Sequence, residues 1–457
     1  MTPVPPPASE SPLWWETAGP ATAYEGEIPA SVDVAIVGGG LTGLWSAYYL
    51  LEHQPDLSVL VLEAEHVGFG ASGRNGGWVS ALWPVSPAVV AQRHGRPAAL
   101  DLMAALRETV DEVGARCATE DIDAGFVKGG TLAVARSAAH ERRARAEVAH
   151  SATWGLGTAW LDAAAARERL AAVDVRGATF NPNCARVHPR RLVDGLARVV
   201  AKRGGVIREG RRVSGMERGI VTLDDGQQIG ARHVLRATEA WTSQVAGHER
   251  DIAPVYSLMV ATEPLGPEQW ASVGLAEREV FTDHGHVVIY GQRTVDDRIA
   301  FGGRGAPYHF ASRISPDFDH ERRVFRDLTR VLRTMLPQLA DVEVTHTWGG
   351  PLGIARDWHP SVGYQDGLGW AGGYVGDGVA ATNLAGRTLA DLALGRRSPL
   401  TALPWVGHRS PAWESEPMRW LGINAGLRLA HLADREERRT GSPARLGRLL
   451  GRLTGGH

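Results

Sequence analysis

Glycines and an acidic residue near the amino terminus have the spacing of a dinucleotide-binding unit. An apolar run at residues 34–37 ends in Gly38-x-Gly40-x-x-Gly43, a helix-like run follows, and a second apolar run ends at Glu63. Gly38 permits a tight turn, Gly40 lets the backbone approach a pyrophosphate, and Gly43 lets the helix pack against the sheet. The free N–H groups at the start of the helix would hold the phosphates, and Glu63 would accept hydrogen bonds from a ribose.

A second glycine-rich loop, Gly68-Phe-Gly-Ala-Ser-Gly-Arg-Asn-Gly-Gly77, follows the second apolar run. This position is the carboxyl edge of a parallel sheet, where ligands bind in folds of this kind. Its small residues would let the backbone approach a flat ring, and Ser72, Arg74 and Asn75 add hydrogen-bond donors. The loop therefore predicts a second part of the same binding site.

A third glycine-rich loop, residues 370–380, leads directly into a predicted helix. The first N–H groups of that helix and its partial positive charge would favour an anion. The N1–C2=O edge of a flavin gains negative charge on reduction, so these groups suit a flavin. One helix N-terminus for a pyrophosphate and another for the ring indicate FAD, since an NAD-only dehydrogenase would leave the two extra loops without a role.

The composition excludes several other classes of protein. The chain has 457 residues and a net charge of −2, which gives no overall field to attract nucleic acid or an anionic membrane. Its two cysteines, Cys117 and Cys184, form neither a disulfide framework nor a metal-type cluster, so no metal site is predicted and a reducing compartment is expected. Because no signal-peptide pattern and no apolar segment of membrane-spanning length occur, we expect a cytoplasmic protein.

Helical and extended patterns alternate along the chain. Helices are predicted at 98–116, 138–173, 191–203, 320–337 and 381–394. Together with the strands, they predict a mixed α/β fold in which dinucleotide-type segments alternate with other segments, so interleaved domains are expected. The predicted division is an arm at 1–30, the nucleotide domain at 31–85, 185–245 and 345–395, the substrate domain at 86–184 and 246–344, and a helical tail at 396–457.

The chain as a whole resembles the FAD-dependent oxidoreductases of the D-amino-acid oxidase and glycine oxidase superfamily, and most of all the gamma-glutamylputrescine oxidase-like subgroup. The Ala-Ser-Gly-Arg-Asn-Gly-Gly loop at 71–77 is the most specific match. The other matching stretches, in family order, are residues 37–43 with Glu63, 187–189, 237–241, 261–265, 301–304, 348–350 and 373–379. The tail lies outside the resemblance.

This resemblance implies a fold of the D-amino-acid oxidase type, in which a discontinuous, Rossmann-like FAD-binding domain is interleaved with a β-sheet substrate domain. It also implies an FAD bound without a covalent link, because the chain lacks the cysteine near Gly350 and the early histidine that covalent relatives use. The segment near Val213 would contact the adenine, and Gly350 would lie near the isoalloxazine ring. The predicted cofactor-binding residues are Gly38, Gly40, Leu41, Thr42, Gly43, Glu63, Ala64, Gly70, Ala71, Ser72, Arg74, Asn75, Gly76, Gly77, Val213, Ala237, Thr238, Trp241, Gly350, Gly376, Asp377, Gly378, Val379 and Ala380.

The resemblance also implies the reaction. The carbon next to a neutral primary or secondary amine would lose a hydride to flavin N5, and water would hydrolyse the resulting imine. Asp377, Tyr290 and His359 are the predicted catalytic residues, as a base or an amine anchor, with His284 and His286 as further candidates. Asp377 is the best placed, although an aspartate between two glycines serves equally well to stabilise a turn.

One departure from the family bears on the substrate. Amino-acid oxidases of this superfamily place an arginine just after the Trp-x-Gly strand to bind the substrate carboxylate, and that position here is Leu352, or Pro351 in the neighbouring register. An apolar residue cannot supply a bidentate clamp, which favours an amine without an α-carboxylate, such as a polyamine derivative. Arg74, Arg293 or Arg304 could replace the clamp, so an amino-acid oxidase is the alternative. The second alternative is a flavoprotein electron-transfer subunit that has no amine chemistry of its own.

Other features concern the acceptor and the partners. Sarcosine-oxidase relatives use a lysine over the flavin for the reaction with oxygen, and Lys128 and Lys202 are the only lysines, so either oxygen or another acceptor takes the electrons. Four aromatic residues are candidates for a cation pocket: Trp78, Trp83, Tyr290 and Trp348. A small-molecule amine is the expected partner, with no nucleic acid and no integral membrane segment, in a monomer or homodimer. Leucines at 446, 449, 450 and 453 predict an amphipathic helix that docks on the body or a second subunit.

Overall fold

The computed structural model describes residues 9–444, apart from the side chain of Arg304. In chain order the strands are β1 (Ser31–Val37), β2 (Val59–Leu62), β3 (Trp78–Ser80), β4 (Thr131–Ala135), β5 (Ala159–Asp162), β6 (Gly177–Asn181), β7 (Cys184–Arg186), β8 (Val206–Arg208), β9 (Val213–Glu217), β10 (Ile220–Leu223), β11 (Gln228–Arg236), β12 (Ile252–Thr262), β13 (Val280–Asp283), β14 (Ile289–Arg293), β15 (Ile299–Arg304), β16 (Val344–Ala355), β17 (Ser361–Gln365) and β18 (Leu368–Gly372).

The α-helices are α1 (Leu13–Thr17), α2 (Leu41–His53), α3 (Pro87–His94), α4 (Arg96–Thr119), α5 (Ala138–Trp154), α6 (Ala163–Arg169), α7 (Pro189–Lys202), α8 (Pro267–Val273), α9 (Arg322–Met335), α10 (Gly378–Ala393) and α11 (Met418–Thr440). Short 3-10 helices lie at Ala71–Gly73, Glu239–Gln244, Phe310–Ser312, Pro316–Asp319, Pro337–Leu339 and Pro399–Ala402. The predicted mixed α/β fold is confirmed.

The first sheet carries the glycine-rich loops at one edge. Its strand order is β17-β18-β11-β1-β2-β8, and β10 and β9 extend it from β11. Strand β1 runs parallel to β11 and to β2, so the carboxyl ends of these strands meet at the same edge. Helices α2, α7 and α10 share one apolar core with Val34 and Ile36 on one face of β1, and Ala35 and Val37 on the other face belong to a second core with residues of β10 and β11. This double cover explains why β1 and β2 are continuous apolar runs.

The second sheet has the order β16-β12-β15-β14-β13-β4-β6-β5. Strand β12 lies next to the edge strand β16, is buried along its whole length and pairs antiparallel with both β15 and β16. Helix α9 packs on this sheet, and its residues Phe325, Leu328 and Leu332 belong to the same core as Leu258 and Val260 of β12. This sheet faces the loop edge of the first sheet, and the space between them is the candidate site.

Two predictions from the sequence are corrected. Residues 138–173 are not one helix, because α5 ends at Trp154 and strand β5 follows, paired with β6. That long-range pairing outweighs the helix preference of alanine and arginine. The boundary predicted at residue 345 is also displaced, since β16 pairs with β12 in the second sheet from Val344 to Ala355. The rest of the domain division stays a prediction.

Both terminal segments pack on the body. The indole Nε1 of Trp14 in α1 donates to the carbonyl oxygen of Asn75 at 2.9 Å. In α11, the carboxylate of Asp434 accepts the N–H groups of His286 at 2.7 Å and Val287 at 3.0 Å. The described helices include none with an apolar stretch as long as a bilayer requires. The leucines of the predicted amphipathic tail lie beyond residue 444, outside the described residues.

Candidate active site

The turn after β1 brings backbone segments into close contact. Gly38 has a φ of +114°, and a Cβ there would lie 2.5 Å from the carbonyl oxygen of Ala237. A Cβ at Gly43 would lie 2.0 Å from the carbonyl oxygen of Gly38, so helix α2 can begin directly over the end of β1 only with glycine at this position. The free N–H groups of the first turn of α2 therefore face the loop edge of the sheet.

Glu63 follows β2 at the same edge. One carboxylate oxygen accepts the N–H of Gly39 at 2.7 Å, and the other accepts the N–H of Glu65 at 3.0 Å. Burial raises the pKa of the Glu63 carboxyl, and these N–H groups oppose the rise. The side chain is fixed in place, and each oxygen keeps a lone pair that can accept from a sugar hydroxyl.

The second glycine-rich loop is folded by Asn75. Its Nδ2 donates to the carbonyl oxygens of Ala71 and Ser72, both at 3.0 Å, and its Oδ1 accepts the N–H of Gly77 at 2.7 Å. The hydroxyl of Ser72 accepts the N–H of Leu41 at 2.9 Å, which ties the loop to the first residue of α2. Loop and helix therefore hold each other in place.

The third glycine-rich loop lies beside the first. The hydroxyl of Tyr374 is 3.1 Å from Oγ1 of Thr42 in the first turn of α2. Asp377 precedes Gly378, the first residue of α10, and its carboxylate accepts a hydrogen bond from the hydroxyl of Ser80 at 3.4 Å. The N-termini of α2 and α10 therefore open onto one space.

That space is a cavity of about 800 Å³. The predicted cofactor-binding residues that line it are Gly38, Gly40, Leu41, Thr42, Glu63, Ala64, Gly70, Ala71, Ser72, Arg74, Asn75, Gly76, Val213, Ala237, Thr238, Trp241, Gly350, Gly376, Asp377, Gly378 and Val379. Gly43, Gly77 and Ala380 lie behind this lining. A Cβ at Gly77 would lie 2.3 Å from the carbonyl oxygen of Val187, so this glycine keeps two segments close together.

The second sheet closes the opposite side of the cavity. The hydroxyls of Tyr290 and Ser257 are 2.8 Å apart, and the Tyr290 ring meets Trp78 edge-on at 6.2 Å. Gly350 and Leu352 both line the cavity from β16 because alternate residues of a strand face the same side. Leu352, the predicted position of the carboxylate clamp, is therefore an apolar part of the wall.

The arginines considered as replacement clamps have other partners or lie outside the described part. Nη1 of Arg74 donates to Oδ2 of Asp319 at 2.5 Å, and both side chains are buried. Arg293 pairs with Asp297 at 2.7 Å and does not line the cavity. The side chain of Arg304 is not among the described ones. Neither Arg74 nor Arg293 is placed as a carboxylate clamp.

His359 lies outside the cavity, which corrects its prediction as a catalytic residue. Its side chain is 1% exposed, Nδ1 donates to the carbonyl oxygen of Pro360 at 2.8 Å, and the ring packs against Trp83. Burial lowers the pKa of His359 to about 4, so the buried ring is neutral near pH 7. His284 and His286 do not line the cavity either. Tyr290 and Asp377 do.

Several residues at the cavity carried no signal in the sequence. They include Leu82, Pro84, Gln244, Ser257, Met259, Thr282, Val288, Ile289 and Trp358. Trp358 has a φ of +61° in a tight turn, a backbone conformation that the sequence gives no reason to expect of a tryptophan. Trp78 and Trp83 line the cavity as predicted for an aromatic pocket, whereas Trp348 is buried behind it with its Nε1 donating to the carbonyl oxygen of Arg74 at 2.8 Å.

A parallel nucleotide-binding sheet, two helix N-termini and a second sheet facing them across one cavity define an FAD-dependent oxidoreductase. The chain belongs to the DAO family of FAD dependent oxidoreductases, whose sequence profile matches residues 33–392. FAD is accordingly its cofactor.

Known relatives agree with this assignment. The chain is 31% identical to the probable oxidoreductase OrdL of Rhizobium meliloti over 87% of this chain and 91% of that protein. It is 30% identical to gamma-glutamylputrescine oxidoreductase of Escherichia coli over 82% of this chain and 87% of the relative. Among solved structures, glycine oxidase from Geobacillus kaustophilus superposes with a TM-score of 0.67 at 22% identity, over 84% of this chain and 100% of that chain.

The residues around the cavity fit FAD. The volume lies in the range of roughly 300–1,000 Å³ that is usual for small-molecule sites. The N-termini of α2 and α10 supply N–H donors for anionic groups, and the Glu63 carboxylate supplies a hydrogen-bond acceptor near the N-terminus of α2. A Cβ built at Gly350 would meet only Cδ of Arg74 within 4 Å, at 3.4 Å, so the space before Gly350 is open to a flat ring.

Proposed function

We propose that this chain oxidises the C–N bond of a primary or secondary amine that bears no carboxylate on the carbon being oxidised. Leu352 carries the proposal, since it lines the cavity where a carboxylate clamp would need a guanidinium. The ion pairs of Arg74 and Arg293 support it, because they commit both guanidinium groups elsewhere. The similarity to a gamma-glutamylputrescine oxidoreductase also supports an amine as the substrate class.

In this proposal FAD is held by the residues that line the cavity. Glu63 and Val213 would contact its adenosine, the first N–H groups of α2 its pyrophosphate, and the start of α10 with Gly350 its ring. Bound there, FAD would supply the acceptor for the hydride that leaves the carbon next to the amine nitrogen, and water would hydrolyse the resulting imine. Attachment is non-covalent, because the described residues that line the cavity include no cysteine and no histidine.

The side chains then have three tasks. Asp377 would take the proton of the substrate ammonium, since only the neutral amine can release a hydride from its neighbouring carbon. Tyr290, oriented by Ser257, would position the amine nitrogen. Leu352 and Trp78 would exclude water from the reacting carbon. Lys128 and Lys202 do not line the cavity, so we propose that an acceptor other than oxygen takes the electrons.

The test is a product assay on the FAD-loaded protein with an artificial electron acceptor, in air and without oxygen. Putrescine, N-acylated putrescine and secondary amines are compared with glycine, sarcosine and D- and L-amino acids. The proposal predicts aldehyde from the amines at a rate that does not depend on oxygen. Keto acid formed from amino acids would instead establish an amino-acid oxidase. Failure of every amine and amino acid would favour an electron-transfer subunit.

A further inference from the structure

Glu239 is an acidic residue in an unusual position at the cavity. It opens the 3-10 helix Glu239–Gln244 that follows β11, and it is one of the residues that line the cavity. Its φ is +41°, a left-handed conformation that glycine adopts easily and a glutamate rarely does. A non-glycine residue keeps such a backbone only where surrounding contacts hold it, and such residues cluster at functional sites.

The contacts that hold Glu239 come from its carboxylate. One oxygen accepts the N–H of Gly373 at 2.8 Å, and the other accepts the N–H of Tyr374 at 3.4 Å. A Cβ at Gly353 in β16 or at Gly372 in β18 would come within 2.8 Å of these oxygens. Both strands therefore carry glycine where the carboxylate passes, and the carboxylate occupies a space built for it.

This arrangement links three parts of the cavity wall. Gly353 follows Leu352 in the second sheet, and the segment from Gly373 leads to the first turn of α10. Tyr374 extends this connection to helix α2, because its hydroxyl lies within hydrogen-bond distance of Oγ1 of Thr42 in the first turn. The carboxylate thus fixes the loop between β18 and α10 relative to both sheets.

We propose that Glu239 is a positioning residue that sets the loop between β18 and α10, and with it the N–H groups at the start of α10, for the flavin ring. The inference rests on the proposal that FAD occupies this cavity. Burial raises the pKa of the Glu239 carboxyl to about 7, so a measurement at pH 8 examines mainly the anion. The anion accepts backbone N–H groups more strongly than a neutral amide oxygen does.

The experiment compares wild type with E239Q and E239G at pH 8. E239Q keeps the size of the side chain. E239G removes the carboxylate and also removes the backbone strain of a non-glycine residue at φ +41°. E263Q is the control, because Glu263 likewise accepts one backbone N–H, from Glu343 at 3.0 Å, but lies away from the cavity. Far-ultraviolet circular dichroism of the apoproteins establishes that each variant is folded.

Two quantities are measured: the dissociation constant of FAD and the midpoint potential of the bound flavin. Both Glu239 variants should bind FAD about tenfold or more weakly, the size expected for a lost charge-assisted hydrogen bond. Their midpoint potentials should shift from wild type, whereas E263Q should match wild type in both quantities. A role in backbone structure alone would leave E239G equal to wild type and would overturn the inference. Wild type that takes up no FAD would overturn both this inference and the proposed function.

Discussion

The guanidinium of Arg74 pairs with the carboxylate of Asp319 at 2.5 Å, and this contact joins the second glycine-rich loop to the segment beneath the second sheet. The guanidinium also lies 4.9 Å from the ring of Trp15 and 4.5 Å from that of Phe69. Burial raises the pKa of Asp319, and the charge of Arg74 opposes that rise. Arg74, a candidate clamp arginine that lines the cavity, thus holds the two halves of the cavity wall together.

Removing one partner of this buried pair should destabilise the fold strongly. D319N leaves the guanidinium buried and without its counter-charge, so the free energy of unfolding should fall by about 3–5 kcal/mol. D327A is the matched control, because Asp327 pairs with Arg330 at an exposed position and should change the free energy by less than about 1 kcal/mol. Denaturant unfolding of both variants measures the difference. Equal, small effects would show that the Arg74–Asp319 pair does not join the two sheets energetically.

Glu63 should determine FAD affinity without determining the fold. E63Q keeps the shape of the side chain but loses the charge that holds the N–H of Gly39 and would accept ribose hydroxyls, so FAD should bind about tenfold or more weakly. E414Q is the control, since Glu414 is exposed, pairs with Arg356 at the surface and does not line the cavity. Fluorescence titration of the apoproteins with FAD gives both constants. Unchanged affinity in E63Q would place the adenosine elsewhere.

Introducing a guanidinium at Leu352 should change the substrate class. L352R places a bidentate donor at the predicted clamp position, so α-amino acids should reduce the flavin of this variant at concentrations at least about tenfold below any at which they reduce wild type. L352M, which conserves volume and adds no charge, should behave as wild type. Rates of anaerobic flavin reduction measure both. An L352R variant that folds, binds FAD and still ignores amino acids would mean that the clamp position lies elsewhere.

His188 should make the fold sensitive to acid. It is 2% exposed, its Nδ1 accepts the N–H of Arg191 at 3.2 Å as the cap of α7, and burial lowers its pKa to about 4 from an ordinary 6.5. The unfolded chain therefore binds the proton first, so His188 contributes its full stability above pH 6.5 and loses it as the pH falls toward 4. The loss over this window is about 3 kcal/mol.

The variant H188N tests this pH dependence. Asparagine also caps helices well, so the variant keeps the cap and removes the titrating group. Between pH 6.5 and pH 4, wild type should lose more unfolding free energy than H188N does. Parallel stability curves for the two proteins would contradict the assigned pKa.

Local requirements explain what the sequence could predict. Gly38 needs a left-handed φ and Gly43 meets a backbone oxygen, and both demands are visible as glycines at fixed spacing. The edge where the loops meet follows from the parallel order of β1 and β2. That the first two glycine-rich loops lie at one cavity could therefore be predicted without knowledge of contacts between distant residues.

Long-range contacts explain what the sequence could not predict. The role of Glu239 depends on glycines more than a hundred residues away, and its own neighbours give no sign of them. His359 has the residue type of a base, but its surroundings bury it behind Trp83. Ser257 and Met259 line the cavity from a strand that is otherwise apolar and buried, so no alternation of polar residues marked that face.

The central claim is that the substrate is an amine without an α-carboxylate, and anaerobic titration of the flavin's visible absorption tests it most directly. The protein is titrated with pairs that differ only by that carboxylate: N-acetylputrescine with Nδ-acetylornithine, ethylamine with alanine, and phenethylamine with phenylalanine, the amino acids in both D and L forms. The account predicts that in every pair that reacts, the amine bleaches the flavin and the amino acid does not. Bleaching by the amino acid in preference to its amine would contradict the account.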